Sequence, residues 1–319
     1  MSGTNRETTQ FRSGLAFGFG AYLMWGAFPL FFTLIAAVNP FEVVPWRVIT
    51  TLIICALIVT VTRRWGSVAE ILRTPKKLGA LALASLLLYA NWQLFVVGVI
   101  SGHVLETALG YFINPLFTIL FGVIFWREKL SRLQWIAVSI AGIGVLVSTV
   151  AYGQFPWIAI GLAVSFGLYG VVHQRIDAVD GVTGLTVETF VSVPVGLVQL
   201  AILAVLPAGL AAFTHGPLVT VFVLLSGLVT AVPLILFGEA AQRLPLTYIG
   251  FLQFMTPVIG FIFGYFVMHE EMSAARWIGF VAVWIALVFL VVDMVAALRR
   301  APQPQATAEP RTGPIALGG

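Results

Sequence analysis

From residue 13 to residue 297 the chain is a succession of apolar runs, each about twenty residues long and separated by short polar breaks. That is the length a helix needs to cross about 30 Å of hydrocarbon at about 1.5 Å per residue. Reading between the breaks gives ten candidate helices, over 13–37, 41–62, 78–100, 103–126, 132–151, 156–174, 181–206, 217–241, 246–268 and 274–297. A transmembrane barrel does not fit, because the runs show no alternation and are twice as long as barrel strands. With 60% hydrophobic and only 9% charged residues, a water-soluble globule is excluded, and so is disorder outside the ends. No polar stretch is long enough to fold as a separate catalytic domain. The single cysteine, Cys55, lies inside an apolar run, so neither a disulfide nor a thiolate metal site is expected.

Basic residues orient the runs. If the N-terminus lies in the cytoplasm and ten helices follow, fifteen of the seventeen Lys and Arg residues fall on the cytoplasmic side. Only Arg276 falls outside, and Arg47 lies within a span. The formal net charge of +4 therefore bears on membrane topology, and nucleic acid is not an expected partner. Both termini are expected in the cytoplasm, as a short segment over 1–12 and a disordered Pro- and Gly-rich tail over 301–319. Arg6 and Arg12 precede a first run too long for a signal-peptide core, which reads as a retained helix. Residues 63–77 place Trp65, Val68 and Leu72 on one helical face, suited to lying on the membrane surface, although a solvated loop fits as well.

Shifting the chain by 142 residues lays one half on the other. Phe95 falls on Phe237, Phe112 on Phe254, Pro115 on Pro257, Glu128 on Glu270, Ser131 on Ser273 and Trp135 on Trp277. Apolar coincidences are common in such a chain; Pro, Glu, Ser and Trp coinciding at one offset are not. Each half (13–151 and 156–297) then holds five helices. Because five is odd, the second half enters the membrane upside down. The expected fold is an all-α membrane protein of ten transmembrane helices in two inverted five-helix repeats around a central cavity, the architecture of many secondary transporters.

The candidate pathway residues follow from depth and symmetry. Pro115 and Pro257 are expected to kink helices four and nine, freeing the carbonyls of Tyr111 and Gln253. Tyr111 and Asn114 share a polar face of helix four with His103, Thr107 and Thr118, while Gln253 and Thr256 lie on a corresponding face of helix nine. Arg47 and Glu188 lie at comparable depth in helices two and seven and superpose at an offset of 141. Intramembrane charges are costly and usually face a cavity or a partner. Both can face the cavity, Arg47 toward an anionic group and Glu188 toward a cationic group or a proton; the competing arrangement is a direct Arg47–Glu188 ion pair. Glu106, beside His103, is a second candidate proton site. Tyr22, Trp25, Tyr89, Trp92 and Tyr169 could line the cavity, or serve ordinary helix packing. Glu128, Glu270, Ser131 and Ser273 read as helix-end groups, Glu239–Arg243 as a local pair, and His173 with Arg175 as interfacial.

The stretches Gly102–Pro115 (GHVLETALGYFINP), Arg127–Ile136 (REKLSRLQWI) and Pro245–Pro257 (PLTYIGFLQFMTP), with Asn91–Trp92 and with Glu42 and Arg47, resemble the RarD group of EamA-type transporters, in the drug/metabolite transporter superfamily. The resemblance runs from about 13 to 297. It implies a ten-helix, two-repeat fold in a bacterial inner membrane and export of a small organic solute, and it carries Arg47, Asn91, Trp92, Tyr111, Asn114 and Glu106 across as site residues. Tyr169, where relatives often have Trp, and Glu239 depart from the pattern.

The function expected is a secondary transporter working by alternating access, with the bilayer, a small organic solute and protons as partners and no cofactor or metal. No GxxxxGK[ST] loop is present for nucleotide drive. A channel-like facilitator of the same fold is the alternative. A polytopic enzyme lacks support, because the four histidines are scattered and no HExxH occurs.

Overall fold

The computed structural model describes residues 3–101, 103–153, 155–176, 179–207, 209–262, 265–266 and 274–300. The tail at 301–319, Glu270, Ser273 and the Glu106 side chain lie outside the described residues. Among the described residues the chain forms thirteen α-helices and no strand. They are α1 (Gly3–Gly26), α2 (Phe28–Thr33), α3 (Pro40–Val61), α4 (Trp65–Arg73), α5 (Pro75–Ile100), α6 (Val104–Trp126) and α7 (Arg132–Tyr152). Then follow α8 (Trp157–Arg175), α9 (Gly181–Val205), α10 (Pro217–Ala241), α11 (Leu246–Gln253), α12 (Met255–Ile262) and α13 (Ala274–Arg300). Eight spans are long and apolar enough to cross a membrane, and Leu246–Ile259 and Trp277–Asp293 are shorter apolar helices.

Proline chemistry explains two of the breaks. The first apolar run divides at Ala27, just before α2 with Pro29 in its first turn. The ninth divides at Phe254: Pro257 has no N–H to offer the Gln253 carbonyl, and the helix resumes at Met255. Pro115 leaves α6 continuous from Val104 to Trp126, so the two matched prolines act differently. The surface helix at 65–73 forms, but it buries Val68 and Ile71, whereas Trp65 and Leu72 point outward. The buried stripe is the one that faces α5 and α9.

Polarity is arranged inside out. On α3, Ile53, Leu57 and Val61 are exposed at four-residue spacing, whereas Arg47, Thr50, Thr51 and Cys55 are buried. That suits a helix with lipid on one side and protein on the other. α3 packs between α9 and α10, α8 between α5 and α6, α1 on α10, and α7 on α13. Two glycines mark close approaches between helices. A Cβ on Gly227 would lie 2.4 Å from Thr50 Oγ1, and one on Gly250 would lie 2.9 Å from the Pro115 carbonyl oxygen. Through the second contact α11 runs along the lower half of α6, while α12 rests on α1 and has little contact with α6.

Carboxylates secure the helix ends. Glu128 accepts the backbone N–H groups of Leu246 (2.7 Å) and Thr247 (2.8 Å) and the Thr247 hydroxyl, capping α11 from the end of α6. Ser131 and Gln134 form a reciprocal capping box on α7, and both bond Asp293 of α13, at 2.7 and 2.9 Å. Glu239 accepts the Gly181 N–H at 2.7 Å while pairing with Arg243. At the opposite end Glu42, only 1% exposed, accepts the N–H groups of Ala211 and Ala212 at 2.8 and 2.9 Å. It is thereby satisfied by a loop 170 positions away in the chain.

Candidate functional site

Arg47 is held in α3 with its side chain nearly buried, at 8% exposure. Its Nε donates to Thr230 Oγ1 of α10 at 3.0 Å. Aromatic rings cover the guanidinium, with Trp92 4.4 Å and Phe32 5.1 Å from ring centroid to Cζ. No carboxylate among the described residues lies within ion-pair distance of it. The Tyr111 hydroxyl is within electrostatic reach, its ring meets Phe95 at 6.2 Å, and its side chain is 43% exposed. Tyr111 thus interacts with a buried arginine while its side chain stays partly open.

Orphaned polar groups lie on α6 and α11. Asn114 Oδ1 and both polar atoms of the Gln253 amide are buried without a hydrogen-bond partner, a rare condition for buried polar atoms in native proteins. The Gly250–Pro115 contact sets the register of antiparallel α6 and α11, bringing Gln253 to the level of Asn114. Thr256, half-buried, follows one turn on in α12. The Tyr22 hydroxyl faces Gln253 without an aligned hydrogen bond.

Glu188 occupies a different environment. It is 2% exposed. Its Oε2 accepts from the Tyr169 hydroxyl at 3.1 Å, and its Oε1 stands 2.8 Å from His173 Nε2, at ion-pair distance but without hydrogen-bond alignment. Its backbone carbonyl accepts from Ser85, whose hydroxyl also meets Ser192 at 2.5 Å. Arg47 and Glu188 make no ion pair. Gly196 of α9 lies against Pro45 of α3, so Glu188 is eight residues down one helix and Arg47 two down the other, about 9 Å apart in depth. His173 is buried at 6% exposure, against Glu188 of α9 and Phe237 of α10, whereas Arg175, the last residue of α8, is exposed.

The other candidates sort by contact. Tyr22, Trp25, Phe166, Tyr169 and Phe237 form a closed aromatic cluster, with centroid separations between 5.1 Å (Tyr22–Trp25) and 6.5 Å (Tyr22–Phe237). This cluster fills the bundle between α1, α8 and α10, on the Glu188 side. Asn91 donates to the Leu162 carbonyl and to Ser165, each at 2.9 Å, and ties α5 to α8. Tyr89 and Gln93 both donate to Gln199 Oε1, at 2.5 and 2.7 Å, and Gln199 Nε2 donates to the Phe41 carbonyl. Sequence reading missed Thr230, Phe32 and the His173–Glu188 contact, none of which carries a local signal. A separate groove of about 610 Å³, lined by Ile113, Phe117, Val145 and Ile160, opens between α6, α7 and α8. It has no ionisable lining group and lies apart from Arg47. Among the described residues no His/Cys/Asp/Glu group could hold a metal.

Comparison with known proteins fits this geometry. The EamA-like transporter family model matches twice, over residues 12–150 and 156–292. Protein RarD of Streptomyces exfoliatus is 42% identical over 291 residues, covering 91% of each chain. The uncharacterized transporter YojE of Bacillus subtilis is 38% identical, covering 89% of this chain and 95% of its own. Protein RarD of Escherichia coli K12 is 36% identical, covering 92% of this chain and 99% of its own. A solved protein structure superposes with a TM-score of 0.66 at 18% identity, across 88% of this chain and 98% of that one, which shows a shared fold. This multi-pass membrane protein belongs to the EamA-like transporter family, within its RarD group.

Proposed function

We propose that this transporter is an exporter of a small amphiphilic organic solute, working by alternating access across the bacterial inner membrane. In this reading residues 13–151 and 156–297 are inverted five-helix repeats around one cavity, and both termini are cytoplasmic. The observation that carries it is the pair Arg47 and Glu188. They stand at equivalent repeat positions, both buried, each oriented by its own contacts and not by the other. Two ionisable groups held at depth without mutual neutralisation suit a pathway better than a clamp.

The solute site comprises Arg47, Trp92, Tyr111, Asn114, Gln253 and Thr256, reached from the outer face between α6 and α12. The contacts of Glu128, Glu239 and Gln174 close the opposite face. Tyr22, Trp25 and Tyr169 form the barrier that must part when access alternates, and Asn91 and Tyr89 hold the wall helices. Glu188 with His173 is the proton site that couples transport; Glu106 stays a second candidate. Movement of one half against the other would exchange the open and closed faces.

The test is counterflow of candidate solutes by reconstituted protein, with and without a pH gradient. Saturable, trans-stimulated exchange supports a carrier, and non-saturable flux without trans-stimulation makes it a facilitator. Loss of the pH-gradient response in Glu188→Gln, with solute binding retained, supports the coupling role. An unchanged response removes Glu188 from the mechanism.

A further inference from the structure

We propose that the Arg47 site selects organic monoanions, above all carboxylates with a flat apolar body, over zwitterions and cations of the same body. The proposal rests on the transport reading only for the location of the pathway; the selectivity comes from the charges on the walls. A buried charge is ordinarily paired, and each deep carboxylate in the described part of the molecule already has partners. Glu188 has Tyr169 and His173, and Glu42 has two backbone N–H groups. Neither is free to receive a substrate ammonium. Arg47 is the opposite case: one N–H is used by Thr230, and no carboxylate among the described residues answers its charge.

Geometry narrows the class. Trp92 and Phe32 lie over the guanidinium within 4.4 and 5.1 Å, which leaves its edge for a ligand. The edge of a guanidinium is a fork of parallel N–H donors that matches a carboxylate with two bonds. The Tyr111 ring, exposed beside Phe95, offers an aromatic wall for an apolar body next to the bound carboxylate. The unpartnered Asn114 Oδ1 and Gln253 amide can receive one neutral polar group on that body. An ammonium close to the carboxylate would lie near the guanidinium with, among the described residues, only neutral amide oxygens to face, so a zwitterion leaves the site with the net charge it began with.

The experiment uses the purified full chain and four matched probes: 3-phenylpropionate, phenylalanine, phenethylamine and 3-phenylpropanol, with binding measured by calorimetry. The expected result is that 3-phenylpropionate binds at least about tenfold tighter than each of the others. In Arg47→Gln its affinity falls to that of the alcohol. Arg47→Lys keeps the charge, loses the planar fork and binds 3-phenylpropionate more weakly than the parent chain. If the glutamine variant does not fold, the lysine variant decides, and unchanged affinity there overturns the proposal. Equal or tighter binding of phenylalanine or phenethylamine, full affinity in Arg47→Gln, or no binding of 3-phenylpropionate at millimolar concentration also overturns it. Counterflow of the same labelled probes separates the two readings. Binding without exchange sinks the transport reading and leaves the selectivity standing, whereas exchange of phenylalanine but not of 3-phenylpropionate does the reverse.

Discussion

Arg47 and Glu188 sit at matched positions in two copies of one sequence repeat, and their surroundings differ. Around Glu188 the neighbours are polar: Tyr169 donates to it, His173 stands at ion-pair distance, and Ser85 bonds both its backbone carbonyl and Ser192. Around Arg47 the neighbours are aromatic faces, a single hydroxyl and a half-open tyrosine. The helices repeat the contrast, since α6 stays in contact with α8 along the one side while α12 leans away from α6 on the other. Two halves that match in sequence thus surround their buried charges differently, one with polar side chains and the other with aromatic rings and one hydroxyl.

Mutations can break this contrast at either end. Arg47→Gln should lower solute counterflow by about a hundredfold, about 3 kcal/mol, in every buffer, because it removes a buried charge that no carboxylate among the described residues answers; initial rates in liposomes check this. Gly227→Ala should be next in size. Its Cβ would stand 2.4 Å from Thr50 Oγ1, forcing apart the helices that hold Arg47 against Thr230, at about 2 kcal/mol of stability; thermal unfolding in detergent reads the loss. Glu188→Gln should reduce pH-gradient-driven transport about tenfold and slow counterflow at equal pH less, as measured side by side in the same vesicles. Ser192→Ala removes one buried hydroxyl from a bridge that keeps its Ser85–Glu188 carbonyl bond, and should lower stability by under about 1 kcal/mol. If Arg47→Gln and Glu188→Gln gave the same phenotype in both assays, the contrast between the two sites would collapse.

Much of this was legible before any coordinates, for identifiable reasons. Long apolar runs can only be helices in lipid, so each run is occupied by helix among the described residues. The break at Phe254 follows from Pro257, because a missing N–H acts locally. Pro115 has the same missing donor, yet α6 stays continuous, with α8 and α11 packed along it; local chemistry alone does not contain those neighbours. The depth of Arg47 was readable from its place in a run. Its rings and its hydroxyl partner were not, since Thr230 is 183 residues away. The burial of His173 was missed for the same reason: the groups against it, Glu188 and Phe237, belong to α9 and α10. Glu42 and Glu128 show the rule for carboxylates near helix ends, whose partners were N–H groups of distant turns that no spacing rule could reach.

The chain's only cysteine, Cys55, is buried, which makes one measurement especially direct. In a Cys55→Ser background, Tyr111→Cys tests whether the open side of Tyr111 is a watery pathway or lipid. The account predicts reaction with a membrane-impermeant thiol reagent applied to the outside of intact cells, slowed by 3-phenylpropionate. Reaction only with a lipid-soluble maleimide would contradict it, because the residue beside Arg47 would then face hydrocarbon and no aqueous cavity would lie between the two halves.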